Sequence, residues 1–151
     1  MTDPAAVHAA LLERAETVGC AESLTGGELA VLLSGTPGAS ATFAGGVVTY
    51  ATELKRRLLG VTATEVISAE CAVQMASGVR ELLDVDWALS TTGVAGPDLQ
   101  EGQPAGTVFV GLAGRESLRF VRLSLEGDRA AIRSGACASA LDLLLEEVSG
   151  G

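Results

Sequence analysis

Apolar positions along this chain alternate between helical spacing and short unbroken runs, and each switch marks an element. Val7, Leu11 and Ala15 recur at helical spacing behind Thr2 or Asp3 as cap and Pro4 as first helical residue, predicting a helix that ends near Glu16. Val18 to Ala21 reads as a short buried strand, and the turn Glu22-Ser23-Leu24-Thr25-Gly26-Gly27 leads into a second helix reaching about Leu33. Ser34 to Ser40 carries Gly35, Pro37 and Gly38 and is expected to be loop, followed by a strand that ends at Val47-Val48-Thr49-Tyr50. A helix from about Thr52 to Leu59 comes next. Ser68 then caps another, whose buried face is Ala72, Met75, Ala76, Val79, Leu82 and Leu83. Trp87 to Thr92 is the third strand. Gly93 to Gly106 is a loop of about 14 residues, close to the upper limit for a connection without structure of its own and therefore a functional candidate. Thr107–Leu112 and Leu118–Leu125 flank Gly114-Arg115-Glu116 as a hairpin, and a last helix from Asp128 to about Val148 buries Ile132, Ala136, Ala140, Leu143 and Leu144. Five strands interleaved with five helices, with a hairpin late in the order, predict an α/β fold: a three-layer α/β/α sandwich around a mixed sheet of about five strands.

A length of 151 residues with 48% hydrophobic composition suits one domain with a substantial core, spanning 1–151. The formal net charge of −9, with no basic run to offset it, makes nucleic acid and anionic membrane surfaces poor partners. Three cysteines, Cys20, Cys71 and Cys137, form no CxxC pair and fit reduced thiols in a cytoplasmic protein. Neither a cationic signal nor an apolar run of roughly 18 residues is present. One histidine and three scattered cysteines supply no recognisable metal-ligand cluster, so neither metal nor cofactor is expected.

The only histidine, His8, lies in the first helix, so a hydrolytic site here would need a lysine or tyrosine for its proton transfers. Ser40, Tyr50 and Lys55 fall in the glycine-containing stretch 21–60. Ser40 stands among Gly38, Ala39 and Ala41, small neighbours that would admit a substrate but equally suit a turn serine. Tyr50 ends a strand, where a ring anchoring the sheet edge is the ordinary explanation. Lys55 beside Arg56 and Arg57 would ordinarily be a solvated cation. Ligands of open α/β sheets bind beyond strand C-termini, where Ser23, Tyr50 and Thr92 would emerge. Neither GxGxxG nor GxxxxGK[ST] is present, so dinucleotide and P-loop sites are not supported. Thr25-Gly26-Gly27 either offers backbone N–H groups to a ligand or simply makes a tight turn. Arg129 and Arg133 lie in the first turns of the last helix, where the dipole disfavours cations; a bound anion, or the nearby Glu126 and Asp128, would balance them.

Together, Ala21-Glu22-Ser23-Leu24-Thr25-Gly26-Gly27, Pro37-Gly38-Ala39-Ser40, Gly45-Gly46-Val47-Val48-Thr49-Tyr50 with Lys55, Thr92-Gly93-Val94-Ala95-Gly96-Pro97, Gly106-Thr107-Val108 and Gly127-Asp128-Arg129 closely resemble the CinA C-terminal-domain family. The resemblance runs from about Thr17 to Leu145. It implies hydrolysis of the carboxamide of nicotinamide mononucleotide to the carboxylate and ammonia, in pyridine nucleotide salvage, by an unusual Ser-Tyr-Lys site without metal or cofactor. By position it matches Ser40 to the nucleophile, Lys55 to the base and Tyr50 to a residue assisting proton transfer. Ser23, Thr92 and Arg129 match expected substrate contacts, with Glu22, Thr25, Gly26 and Gly93 as their neighbours. The expected partners are a small-molecule nucleotide and further copies of the chain, as a homodimer or higher oligomer. Leu24 replaces a common cysteine, Ala39 a frequent serine and Ala51-Thr52 a frequent Ser-Asn, and the 93–106 loop has fewer glycines than usual and lacks a frequent lysine. The chain has no counterpart of the N-terminal molybdopterin-binding-like domain of full CinA proteins, so the resemblance implies the stand-alone form. The competing reading is a catalytically silent nucleotide-binding or regulatory module of the same fold.

Overall fold

The computed structural model describes residues 2–150. Asp3 caps α1 (Pro4–Arg14) by accepting the Ala5 N–H, and Ala15 ends it in the left-handed region, exposed rather than on the buried stripe. The order then runs β1 (Val18–Glu22), α2 (Glu28–Ser34), a 3₁₀ turn η1 (Ala39–Ala41), β2 (Phe43–Val48), α3 (Thr52–Leu59), α4 (Ala69–Leu83), β3 (Trp87–Gly93), β4 (Thr107–Ala113), β5 (Leu118–Ser124) and α5 (Arg129–Gly150). Ser68 caps α4 through the Cys71 N–H, as its position predicts. Leu82, expected on the buried face of α4, is instead 48% exposed near the helix end.

The strands form one mixed sheet in the order β2-β1-β3-β4-β5. β1 runs parallel to both β2 and β3, while β3–β4 and the β4–β5 hairpin are antiparallel. Helices α1, α2 and α5 cover one face; α4, with α3 packed against it, covers the other. This is the three-layer α/β/α arrangement predicted. The central strands β1 and β4 are buried at every position because both faces are covered, whereas edge strands β2 and β5 alternate. Gly111 on β4 lets α4 close onto the sheet, since a Cβ there would lie 2.4 Å from the Ala72 carbonyl oxygen. No helix among the described residues is long and apolar enough to cross a membrane.

The parallel order fixes where chemistry can assemble. The C-terminal ends of β1, β2 and β3 lie at one edge of the sheet and deliver there Ser23 and Thr49-Tyr50, just past β1 and β2, and Thr92-Gly93, the last residues of β3.

Candidate active site

At that edge opens a cavity of about 390 Å³ whose walls include Ser23, Leu24, Tyr50, Lys55, Thr92, Gly93 and Arg129. Its floor is set by Lys55. Helix α3 is strongly amphipathic, and its inward face carries Lys55 and Leu59, leaving Lys55 only 1% exposed. The ammonium nitrogen Nζ lies 2.8 Å from Ser23 Oγ, 2.7 Å from the Thr49 carbonyl oxygen and 3.0 Å from the Tyr50 carbonyl oxygen. The two carbonyls are turned to the amine because β2 stops at Val48. Burial pushes the Lys55 pKa below the ordinary lysine value, with Cys71 and Glu101 nearby pulling the other way.

These contacts suit either charge state. The ammonium form donates all three N–H bonds. In the neutral form two N–H groups satisfy the two carbonyls, and the lone pair is left to accept the Ser23 hydroxyl proton. A buried amine that is fully bonded without its proton is a base held next to a hydroxyl.

Ser23 is presented by strand–turn–helix geometry. Its N–H donates to the Thr91 carbonyl at 3.0 Å, continuing the β1–β3 ladder by one residue. Glu22, its predecessor, points to the opposite face, as successive strand residues do. Its buried carboxylate accepts from Thr25 Oγ1 at 2.6 Å and from the N–H groups of Leu29 and Ala30 at 2.8 and 3.0 Å. Thr25 Oγ1 also meets Thr91 Oγ1 at 2.8 Å and is fully buried. Glu22 and Thr25, expected beside the substrate, therefore hold the first turn of α2 and lie outside the cavity wall. Gly26 is also off the wall; it takes φ +58° in the turn, and a Cβ there would come within 3.1 Å of Arg133 Nη2.

Thr92 and Gly93 do line the cavity. The Thr92 hydroxyl donates to the Val66 carbonyl at 2.5 Å, and Gly93 is forced small because a Cβ would lie 2.5 Å from the Thr107 carbonyl oxygen. Tyr50 stands at the mouth, 55% exposed, its hydroxyl accepting from Arg129 Nη2 at 2.7 Å. Arg129 Nη1 donates to the Gly96 carbonyl at 2.6 Å. The phenol is thus tied to Arg129, and Lys55 is held by the backbone of Tyr50, not its ring.

Ser40 does not join this group. It is exposed on η1, before β2, whereas the cavity lies beyond the C-terminal end of that strand. Six strand residues at about 3.3 Å each separate the two ends by roughly 20 Å. The neighbours there are those of the far edge: His8 Nδ1 bonds Thr42 Oγ1 at 2.7 Å, just after η1. Asp98, Leu99 and Gln100 also line the wall, and the sequence singles out none of them. Their signal was the length of the 93–106 loop. Glu101 fastens this loop by accepting the Val66 and Ile67 N–H groups at 3.0 and 2.7 Å. Among the described residues no group of three or more His, Cys, Asp and Glu side chains is arranged to hold a metal, and Cys20, Cys71 and Cys137 are all free and buried.

A family model described as the CinA C-terminal domain matches residues 2–148. A CinA-like protein of Frankia casuarinae is 47% identical over 145 residues, covering 93% of this chain and 34% of that protein. A putative competence-damage inducible protein of Levilactobacillus brevis is 49% identical over 146 residues, covering 93% and 35%. The chain thus spans about a third of the length of the curated relatives it matches. Among solved structures, competence damage-inducible protein A (ComA) from Klebsiella pneumoniae superposes with a TM-score of 0.93 at 35% identity, over 97% of this chain and 94% of that one. Competence/damage inducible protein CihA from Agrobacterium tumefaciens gives 0.86 at 28% identity, over 99% and 97%.

Proposed function

This chain belongs to the CinA C-terminal domain family, and on that premise we propose that it is an amidohydrolase converting nicotinamide mononucleotide to nicotinate mononucleotide and ammonia, with Ser23 as nucleophile and Lys55 as base. The observation that carries the reading is the buried Lys55 amine 2.8 Å from a serine hydroxyl at a cavity wall. A purely structural lysine would not need a desolvated position beside a reactive group.

The steps follow from the contacts. Neutral Lys55 takes the Ser23 proton as Oγ attacks the carboxamide carbon, and the C–O bond forms while the carbonyl π pair moves onto oxygen. The Leu24 N–H, next in the chain and at the cavity wall, has no acceptor among the described residues and is the candidate donor to that oxyanion. The C–N bond then breaks as Lys55 returns the proton to the leaving nitrogen, giving ammonia and an acyl-serine. Water, deprotonated by the again neutral Lys55, cleaves the ester and restores Ser23. Arg129, whose two bonds go to neutral oxygens, keeps its full charge for an anionic substituent such as a phosphate at the mouth. Tyr50 acts as a wall held by Arg129, with its hydroxyl at hand for protons moving at the mouth.

Incubating the purified protein with nicotinamide mononucleotide and following ammonia together with the acid product tests the reading. Stoichiometric release of both supports it; no release, with the nucleotide bound, leaves a silent nucleotide-binding module.

A further inference from the structure

The exposed charges on the cavity wall are one of each sign, Asp98 and Arg129. Arg129 is engaged by neutral oxygens on two elements. Asp98 makes no ion pair among the described residues. Leu99, beside it on the same wall, is 67% exposed, and Tyr50 is 55% exposed. An unpaired carboxylate, an uncovered aliphatic side chain and an uncovered phenol ring around one cavity call for the same kind of ligand. It has a flat apolar face and carries positive charge.

We propose that Asp98 is a specificity residue of this site, selecting ligands whose ring is cationic over neutral rings of the same shape. It sits in the 93–106 loop, which Glu101 fastens to the Val66 and Ile67 N–H groups, so the carboxylate is carried by a segment held against the wall. With Arg129 the wall is dipolar and complements a zwitterion, a cationic ring joined to an anionic group. The ring faces of Tyr50 add attraction for the same charge. The proposal rests on the amidase reading only for the ligand's orientation, carboxamide toward Ser23.

The probes are 1-methylnicotinamide, a cation, and nicotinamide, its neutral counterpart; neither carries ribose or phosphate. Titrating each into the full chain and following backbone amide resonances of the cavity by NMR gives both affinities. For an exposed carboxylate the charge is screened, so the wild type is expected to favour the cation by about fivefold. Asp98→Asn should bring the ratio close to one, and Asp98→Glu should keep most of it. Equal affinities in the wild type, no binding of the cation, or a preference that survives Asp98→Asn would each overturn the proposal. A loss confined to riboside ligands in Asp98→Asn, with the ratio unmoved, would overturn it in favour of sugar recognition. Ammonia release from nicotinamide mononucleotide, measured on the same protein, separates the two claims: an Asp98-dependent preference without release refutes the amidase alone.

Discussion

Replacing Ser23 and Ser40 separately by alanine discriminates between the two serines, because Ser23 follows the C-terminal end of β1 and Ser40 precedes the N-terminal end of the parallel β2, about 20 Å away along the strands. Ser23→Ala removes the hydroxyl that Lys55 reaches at 2.8 Å. The amine keeps the Thr49 and Tyr50 carbonyls, which match the two N–H groups of its neutral form, so the loss to folding is one hydrogen bond, about 1 kcal/mol. The loss to catalysis is far larger. Without a nucleophile no acyl intermediate forms, and kcat should fall by about 10⁴ to 10⁶, equivalent to roughly 5.5–8 kcal/mol of barrier. Ser40→Ala, on an exposed turn, should stay within about 0.5 kcal/mol in stability and keep the wild-type rate. Steady-state ammonia release and urea unfolding on the same preparations read both quantities. An active Ser23→Ala variant, or an inactive but folded Ser40→Ala, would refute the assignment.

Four further outcomes follow from the contacts of Lys55, Glu22 and Arg129. The rate should rise with pH through a Lys55 pKa below the ordinary 10.5, and Lys55→Arg, unable to give up its proton, should be inactive at every pH; an active Lys55→Arg would point to another base. Stability should also rise with pH. The folded chain loses this proton before the unfolded one does, so the cost of the buried charge is full below the folded pKa and disappears above 10.5, an increase absent from Lys55→Met in urea titrations across that window. Glu22→Gln, which sets an amide against three donors, should cost about 2 kcal/mol in urea unfolding; an unchanged midpoint would mean that the α2 turn does not depend on the carboxylate. Arg129→Ala should weaken nicotinamide mononucleotide about tenfold more than nicotinamide riboside, which lacks the phosphate, and an unmoved ratio would make Arg129 only the tie between Tyr50 and Gly96.

The layers and the sheet were legible because periodicity reports which face of an element meets the core, and all ten predicted elements are present. Boundaries slipped where a side chain took over the backbone. Sequence runs Val47 to Tyr50 together as strand, yet β2 ends at Val48 with one last bond from the Thr49 N–H to the Glu22 carbonyl, and the carbonyls of Thr49 and Tyr50 go to the Lys55 amine. Lys55 and Tyr50 could be named as candidates, but burial of the lysine was not visible beside Arg56 and Arg57, which remain exposed.

Which serine meets the lysine is recoverable from topology. Small neighbours single out Ser40, whereas Ser23 stands between Glu22 and Leu24, and resemblance by blocks of residues does not say which block faces the lysine. Direction along a strand does. A residue before a parallel strand lies at its N-terminal edge and a residue after it at the C-terminal edge, so Ser40, ahead of β2, cannot meet Lys55, which follows it. The same reasoning separates Glu22 from Ser23, since consecutive positions at a strand end face opposite layers: the carboxylate was bound to meet α2 if the hydroxyl met α3. Asp98 is different in kind. Its place on the wall depends on how the 93–106 loop is fastened by Glu101 to the amides of Val66 and Ile67, a contact between segments about 34 residues apart that no local pattern encodes.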